Sequence, residues 1–160
     1  MFSRLSKITL VFIIASNLSI VAVNNLVDYS SNYLFVKNVL SMDTTFPDNQ
    51  LMNRAITSPV LWDVFYITII IWEFTIAIFC WIGIIKLLIK LKSTPEEFDK
   101  AKTSSIIGLT MCALLFGFAF ITIAGEWFLM WQSQTWNGES AALKLFMMSG
   151  ISLIYLNMKE

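Results

Sequence analysis

Four long apolar stretches constrain the fold of this chain more than any other feature. They run approximately over residues 8–23, 60–91, 105–127 and 141–156. A helix that crosses the hydrocarbon core of a bilayer needs about 20 mostly apolar residues, and each stretch comes close to that length or exceeds it. Only 14% of the 160 residues are charged, against roughly 25% in soluble domains. The sequence therefore predicts an all-α protein with a single integral membrane domain over residues 1–160, folded as a four-helix transmembrane bundle.

The first stretch also has a second interpretation, as a cleaved signal peptide. It follows Arg4 and Lys7 and is only about 16 residues long, which is typical of such segments. The residues that would form the cleavage site, VAVNN at 21–25, match poorly because valine is not a preferred small residue there. We therefore expect a retained transmembrane helix.

Basic residues are unevenly distributed over the segments between the apolar stretches. Arg4 and Lys7 precede the first stretch, and Lys159 follows the fourth. A group of lysines flanks the connection between the second and third stretches: Lys86, Lys90, Lys92, Lys100 and Lys102. The other two connections hold only Lys37, Arg54 and Lys144. The positive-inside rule therefore predicts that both termini and the middle connection lie in the cytoplasm.

The two connections predicted to lie outside indicate a folded cap. The first has about 36 residues, far more than a turn needs, and residues 25–42 have the spacing of an amphipathic helix. A short second helix is predicted over residues 48–56. The second connection contains Trp127, Trp131 and Trp136, and tryptophan is enriched at membrane interfaces. The predicted cap is partly helical and periplasmic. One interpretation is that its tryptophans anchor the protein at the membrane surface. The other is that the two connections fold together to hold a lipid, a quinone-like molecule or a partner protein.

Ionisable residues within the apolar stretches are the main candidates for function, because a charge is costly to bury in a membrane. Glu73 lies about 15 Å deeper than Asp63 in the second stretch, at about 1.5 Å per residue, and is expected near the middle of the membrane. Asp63, Glu126 and Lys144 are expected in outer turns, where Lys144 could pair with either acid. The loop acid Asp43 either binds a cation or faces water, and we expect it to face water.

Glu73 has no predicted basic neighbour, and an unpaired buried carboxylate is usually protonated. One interpretation is that Glu73 couples proton or cation movement. Another is that it forms a hydrogen bond to a neighbouring helix, for example to Thr110, Ser16 or Asn17, since polar residues join membrane helices in this way. A third is that Glu73 faces another subunit.

Several kinds of chemistry are disfavoured by composition. The chain has no histidine, which removes the commonest general base and a common metal ligand. Cys80 and Cys112 fall within apolar stretches, where thiols are usually inert. With 11 basic and 11 acidic residues, the chain has no excess charge that would attract nucleic acid. We expect no enzyme activity, metal or cofactor.

Three strings, NNLVDYSSNYLFVKNVLSMDTTFP, RAI and GEWFLMWQSQTWNG, resemble the signature of a family of small predicted bacterial integral membrane proteins catalogued as a domain of unknown function. The resemblance covers essentially the whole chain. It implies four membrane helices and a bacterial inner membrane, and it implies no particular activity.

Two functions agree with these observations. The first is an accessory or assembly subunit of a larger inner-membrane complex, whose cap and lipid-facing helices contact a partner protein or a second copy of the chain. The alternative is a small proton- or cation-coupled transporter that uses Glu73. The residues predicted to matter most are Glu73, Asp63, Glu126, Lys144, Trp127, Trp131 and Asp43.

Overall fold

The structure, a computed structural model, describes residues 1–159, which form six α-helices. These are α1 (Phe2–Val27), α2 (Tyr29–Ser41), α3 (Pro59–Ile89), α4 (Pro95–Ala101), α5 (Thr103–Ala113) and α6 (Glu139–Asn157). The chain continues from α5 directly into a π-helical segment, Leu114–Trp127. Short 3₁₀ turns lie at Met52–Arg54 and Met130–Gln132.

Four helices in the described part of the chain are long and apolar enough to cross a membrane. They are Phe2–Val27, Pro59–Ile89, Thr103–Trp127 and Glu139–Asn157. This confirms the predicted four-helix bundle, although the first span begins earlier than residue 8. The short helix predicted over residues 48–56 is only a 3₁₀ turn, whereas the amphipathic helix predicted over residues 25–42 is present as α2.

The core of the bundle lies along α3, which packs against α1 on one side and α5 on the other. Val11, Leu18, Ile76, Leu109 and Cys112 are completely buried there. Apolar side chains on the outward faces are exposed, among them Ile20, Ile71 and Ile154. Because lipid tails are as apolar as these side chains, an apolar exterior is what a bundle in a bilayer requires.

The two ends of the bundle differ in chemistry. At the end that we call the basic end, Arg4 donates hydrogen bonds to the carbonyl oxygens of Leu91 (2.9 Å) and Ser93 (2.8 Å). Lys7 and Lys102 donate to the carbonyl of Met158. The opposite end, which we call the cap end, consists of residues 28–58 and 128–138. The lysine and arginine side chains therefore join the ends of several helices at the basic end.

Arg4 provides a test of these contacts at the basic end. The substitution Arg4→Lys is expected to lower the free energy of unfolding by about 1–2 kcal/mol, because the shorter lysine draws its ammonium away from the two carbonyls that Arg4 Nη1 contacts and has no planar group to lie over an aromatic ring. The guanidinium also lies 4.5 Å from the centre of the Phe98 ring. Chemical unfolding of the protein in detergent would measure the change.

The matched control for Arg4 is Arg54→Lys at the cap end. Arg54 also contacts one carbonyl, that of Trp127, and one aromatic ring, but this hydrogen bond is exposed to solvent. Exposed interactions contribute little, so this change is expected to stay within about 0.5 kcal/mol. Equal losses in the two variants would contradict a specific role for Arg4.

Candidate functional site

Glu73 is joined to α1 and α2 by a chain of hydrogen bonds. It lies in α3 and is only 3% exposed. The side-chain amide of Asn25 in α1 donates to Glu73 Oε2 at 2.7 Å. Asn25 Oδ1 in turn accepts a hydrogen bond from the amide of Asn32 in α2, at 2.6 Å. The Tyr66 hydroxyl donates to the Asn25 carbonyl at 3.1 Å. We call these four residues the Glu73 cluster.

The turn between α1 and α2 brings Asn25 and Asn32 together. α1 ends at Val27 and α2 begins at Tyr29, so the chain changes direction at Asp28. The carboxylate of Asp28 accepts a hydrogen bond from the Ser31 hydroxyl at 2.7 Å, which joins the turn to the first turn of α2. The first turn of α2 then folds back over the last turn of α1.

Aromatic side chains hold α2 against α3. The ring of Tyr29 lies 4.6 Å from that of Tyr66 and 5.7 Å from that of Tyr33. The Tyr29 hydroxyl donates to Asp63 at 3.1 Å. Burial and this hydrogen bond to a carboxylate raise the pKa of Tyr29, so the hydroxyl remains a donor at neutral pH. Asp63 therefore has a positioning role beside the cluster.

A cavity of about 290 Å³ adjoins the Glu73 cluster. All four residues of the cluster line it, and the rest of its wall is apolar or glycine. Glu73 Oε1 accepts no hydrogen bond from residues 1–159, and no basic side chain in that range pairs with the carboxylate. The cavity therefore presents one acidic group with unused capacity to accept hydrogen bonds.

Exposed residues of the cavity wall lie toward the cap end of the bundle. On the side of the cap end, its wall includes Asn32 and Ala141, which are exposed. Toward the basic end, the next turn of α3 places Ile76 and Ala77 among completely or almost completely buried neighbours. The cavity wall includes no residue of the basic end, so the cavity does not reach that end of the bundle.

The packing changes two expectations for Glu73. Its partner is Asn25 and not Thr110, Ser16 or Asn17, and Thr110 points to the exterior of the bundle. Glu73 is central within α3, but it lies level with the last turn of α1, because its partner Asn25 is there. Its expected depth near the middle of the membrane stays a prediction.

The predicted ion pairs of Lys144 are absent from residues 1–159. Lys144 and Glu126 are both exposed, and Asp63 is bonded by Tyr29 instead. The three residues were expected at a similar depth, but their helices turn these side chains in different directions. The pairing that the similar depth allowed is therefore not formed among the described residues.

The remaining predicted residues lie in the cap, away from the Glu73 cluster. Trp127 is exposed, and the guanidinium of Arg54 lies over its ring, 4.4 Å from the ring centre. Trp131 meets Phe46 edge-on at 5.7 Å. Asp43 is exposed, as expected for an acid that faces water.

The two connections at the cap end do fold together. The Thr44 hydroxyl donates to Ser133 at 2.8 Å, and the amide of Phe46 donates to Gln132 at 3.0 Å. Trp131 and Phe46 meet across the same boundary. The sequence left this contact open as part of one of two alternatives; that the cap holds a lipid, a quinone-like molecule or a partner protein stays a prediction.

Asn25, Asn32 and Tyr66 were not predicted to be members of the site. Asn25 and Asn32 were considered only as part of an amphipathic surface helix. A usable signal was present, because Asn25 and Asn32 are two helical turns apart at the end of an apolar span, where amides join helices in membranes.

A second cavity, of about 280 Å³, lies beside the first. Its lining is apolar except for Thr68. The two cavities share the side chains of Phe35, Val36, Ile69 and Phe120. The π-helical segment lines both cavities. π-Helical turns are rare in proteins, and those that occur are frequently found at functional sites.

The fold and this cluster define the chain as an integral membrane protein with a buried acidic pocket. It belongs to the family described as predicted small integral membrane protein (DUF2165), whose model matches residues 3–159. The resemblance of the cap strings to a family of unknown function is thereby confirmed. No curated protein and no solved structure matches the chain.

Proposed function

We propose that the protein is a non-enzymatic accessory subunit of a larger membrane complex, which binds a small molecule in the Glu73 cavity and does not carry it across the membrane. The observation that supports this most directly is the acidic cavity beside Glu73, which does not reach the basic end. The half of the bundle below Glu73 is packed with buried apolar side chains, and this packing supports a binding site without a path across the membrane.

The proposed location is a bacterial inner membrane with both termini in the cytoplasm. Arg4, Lys7 and Lys102 lie together at the basic end, and clustered basic residues favour the cytoplasmic side. In this orientation the cap is periplasmic and the Glu73 cavity is reached from the periplasm or from the outer leaflet.

The first turns of α3 support the association with a partner. α3 begins at Pro59, about 21 Å beyond Glu73 at about 1.5 Å per residue, whereas α1 ends level with Glu73. This extension exposes the apolar side chains of Val60 and Val64. A partner subunit that packs along the extension would cover them.

The partner proposal predicts that Val64→Asn releases a second protein that co-purifies with the wild-type chain. The protein would be extracted from its native membrane in a mild detergent and weighed by native mass spectrometry. The control is Ile154→Asn, also on an exposed position but on α6, which is expected to leave the complex intact. A chain that stays alone in all three samples would contradict the proposal.

A second candidate, proton- or cation-coupled transport, has one observation in its favour. The hydrogen bonds from Glu73 through Asn25 lead to the exposed amide of Asn32. This chain would form the part of a proton path that lies between Glu73 and the cap end. The accessory proposal predicts that proteoliposomes of the wild type and of Glu73→Gln show the same proton leak as empty liposomes. A leak or exchange that disappears in Glu73→Gln would establish the transporter and overturn the proposal.

A further inference from the structure

We infer that the Glu73 cavity and the neighbouring apolar cavity form one site for an amphipathic organic cation, with an ammonium head beside Glu73 and a hydrocarbon chain in the apolar cavity. The inference rests on the proposed function, in that the Glu73 cavity binds a small molecule, and it names the chemical class of that molecule.

The polar groups of the cavity select a ligand that donates hydrogen bonds. One N–H of the Asn25 amide donates to Glu73, and the Tyr66 hydroxyl donates to the Asn25 backbone carbonyl. Glu73 Oε1 remains as an acceptor, and no basic residue among the described ones lines the cavity. An anion would gain no compensating positive charge from this wall, whereas an ammonium beside Glu73 stabilises the ionised form of the carboxylate and supplies the missing donors.

The aromatic walls favour a cation over a neutral donor. Phe35, Tyr66, Phe116 and Phe120 all line the Glu73 cavity. The faces of aromatic rings attract a desolvated cation, and this attraction is the basis of ammonium recognition by aromatic pockets. A cavity lined by one carboxylate and four rings therefore matches an organic ammonium better than it matches an alcohol of the same size.

The apolar cavity accommodates the hydrocarbon chain of such a ligand. The volume of each cavity is near the lower end of the range for small-molecule pockets, about 300 Å³. The two cavities together therefore have the size of one ligand site. Phe65 and Thr68 line the apolar cavity and are exposed on the outside of α3, where lipid lies. An amphipathic molecule in the membrane would thus enter chain-first from the bilayer.

Two stacked rings separate the two cavities. Phe35 and Phe120 lie with their centres 6.4 Å apart and nearly parallel, and both belong to the shared wall. Phe120 lies in the π-helical segment, which also supplies Phe116 to the acidic cavity and Ala119 to the apolar one. The ligand chain is expected to cross between the cavities at this ring pair.

Binding of n-decylammonium to the full chain in lipid nanodiscs tests the inference, with empty nanodiscs subtracted as the background. The expected result is saturable binding at least tenfold tighter than that of n-decanol, and no saturable binding of n-decanesulfonate. Glu73→Gln is expected to weaken n-decylammonium binding at least tenfold. The matched control is Glu126→Gln, which removes an exposed acid of the same bundle and is expected to leave the affinity unchanged.

The position of the ligand's hydrocarbon tail is tested separately, by a substitution that fills the apolar cavity. Ala119→Phe is expected to weaken n-decylammonium at least fivefold and to leave competition by n-propylammonium unchanged. Thr122→Phe, on an exposed position of the same segment that lines neither of the two cavities, serves as its control. An equal effect on the long and the short amine would overturn the two-part site.

The outcomes separate this inference from the proposed function. If n-decylammonium binds equally well to Glu73→Gln, or if n-decanol binds as tightly in a Glu73-dependent way, the cation site is wrong. In the second case the Glu73 cavity still binds a small molecule, and the proposed function survives. If none of the probes binds in a way that depends on Glu73, the cation inference is overturned and the binding role of the cavity loses its support as well.

Discussion

Gly83→Ala is expected to lower the free energy of unfolding by about 2–3 kcal/mol, because the new methyl group would collide with the backbone of a neighbouring helix. Gly83 lies in α3 directly against Ser105 in α5. A Cβ added to Gly83 would lie 2.6 Å from the backbone nitrogen of Ser105 and 2.9 Å from its Cα. Backbone atoms cannot rotate away as a side chain can, so the two helices must separate.

Gly150→Ala is the control for this collision. Gly150 lies in α6, and no heavy atom lies within 4 Å of an added Cβ there. Alanine is favoured over glycine in a helix by up to about 1 kcal/mol, so this variant is expected to be as stable as the wild type or more stable. Thermal unfolding in detergent should place Gly83→Ala roughly 4–12 °C below the wild type. Equal transitions for the two variants would show that α3 and α5 do not approach closely at Gly83.

The contrast between these glycines shows where prediction from sequence stops. Apolar length alone predicted four spans, because the bilayer imposes that length on any helix that crosses it. The contact of Gly83 with Ser105 depends on the rotation of each helix about its axis, and an apolar span has little pattern that fixes this rotation. The sequence therefore predicts which segments pack, but not which residues touch.

The same limit explains the outcome for the candidate site. Glu73 was identified from its type and depth, since a carboxylate in an apolar span is costly wherever it points. Its partner Asn25 was missed because an asparagine at the end of a span is ordinary, and only the turn at Asp28 brings Asn32 onto it. Lys144 was assigned by depth alone, and depth does not determine direction around a helix.

The π-helical segment had no signal in the sequence that we recognised. Its hydrogen bonds run from one residue to the fifth before it, as from the amide of Phe128 to the carbonyl of Ile123. Such a segment differs from an α-helix in backbone register, whereas its composition is that of any apolar span. Its contribution of Phe116 and Phe120 to the Glu73 cavity could therefore come only from the structure.

The pair formed by Asn25 and Glu73 is expected to be the most sensitive polar contact of the bundle. Asn25→Asp replaces the amide that donates to Glu73 with a second carboxylate. Two buried carboxylates repel each other and lack a donor between them, so the free energy of unfolding at neutral pH is expected to fall by about 3–5 kcal/mol. The same substitution at the exposed neighbour, Asn24→Asp, is expected to change it by no more than about 0.5 kcal/mol.

Combining Asn25→Asp with Glu73→Gln reverses the pair without removing it. The glutamine amide at position 73 can then donate to the carboxylate at position 25, and Asn32 can still donate to that carboxylate as it now donates to Asn25. The double variant is therefore expected to recover more than half of the stability lost in Asn25→Asp. Denaturant unfolding of the wild type, both single variants and the double variant would measure this recovery as a coupling energy. If the double variant is no more stable than Asn25→Asp, the hydrogen bond between Asn25 and Glu73 does not hold α1 to α3, and the cluster loses its structural basis.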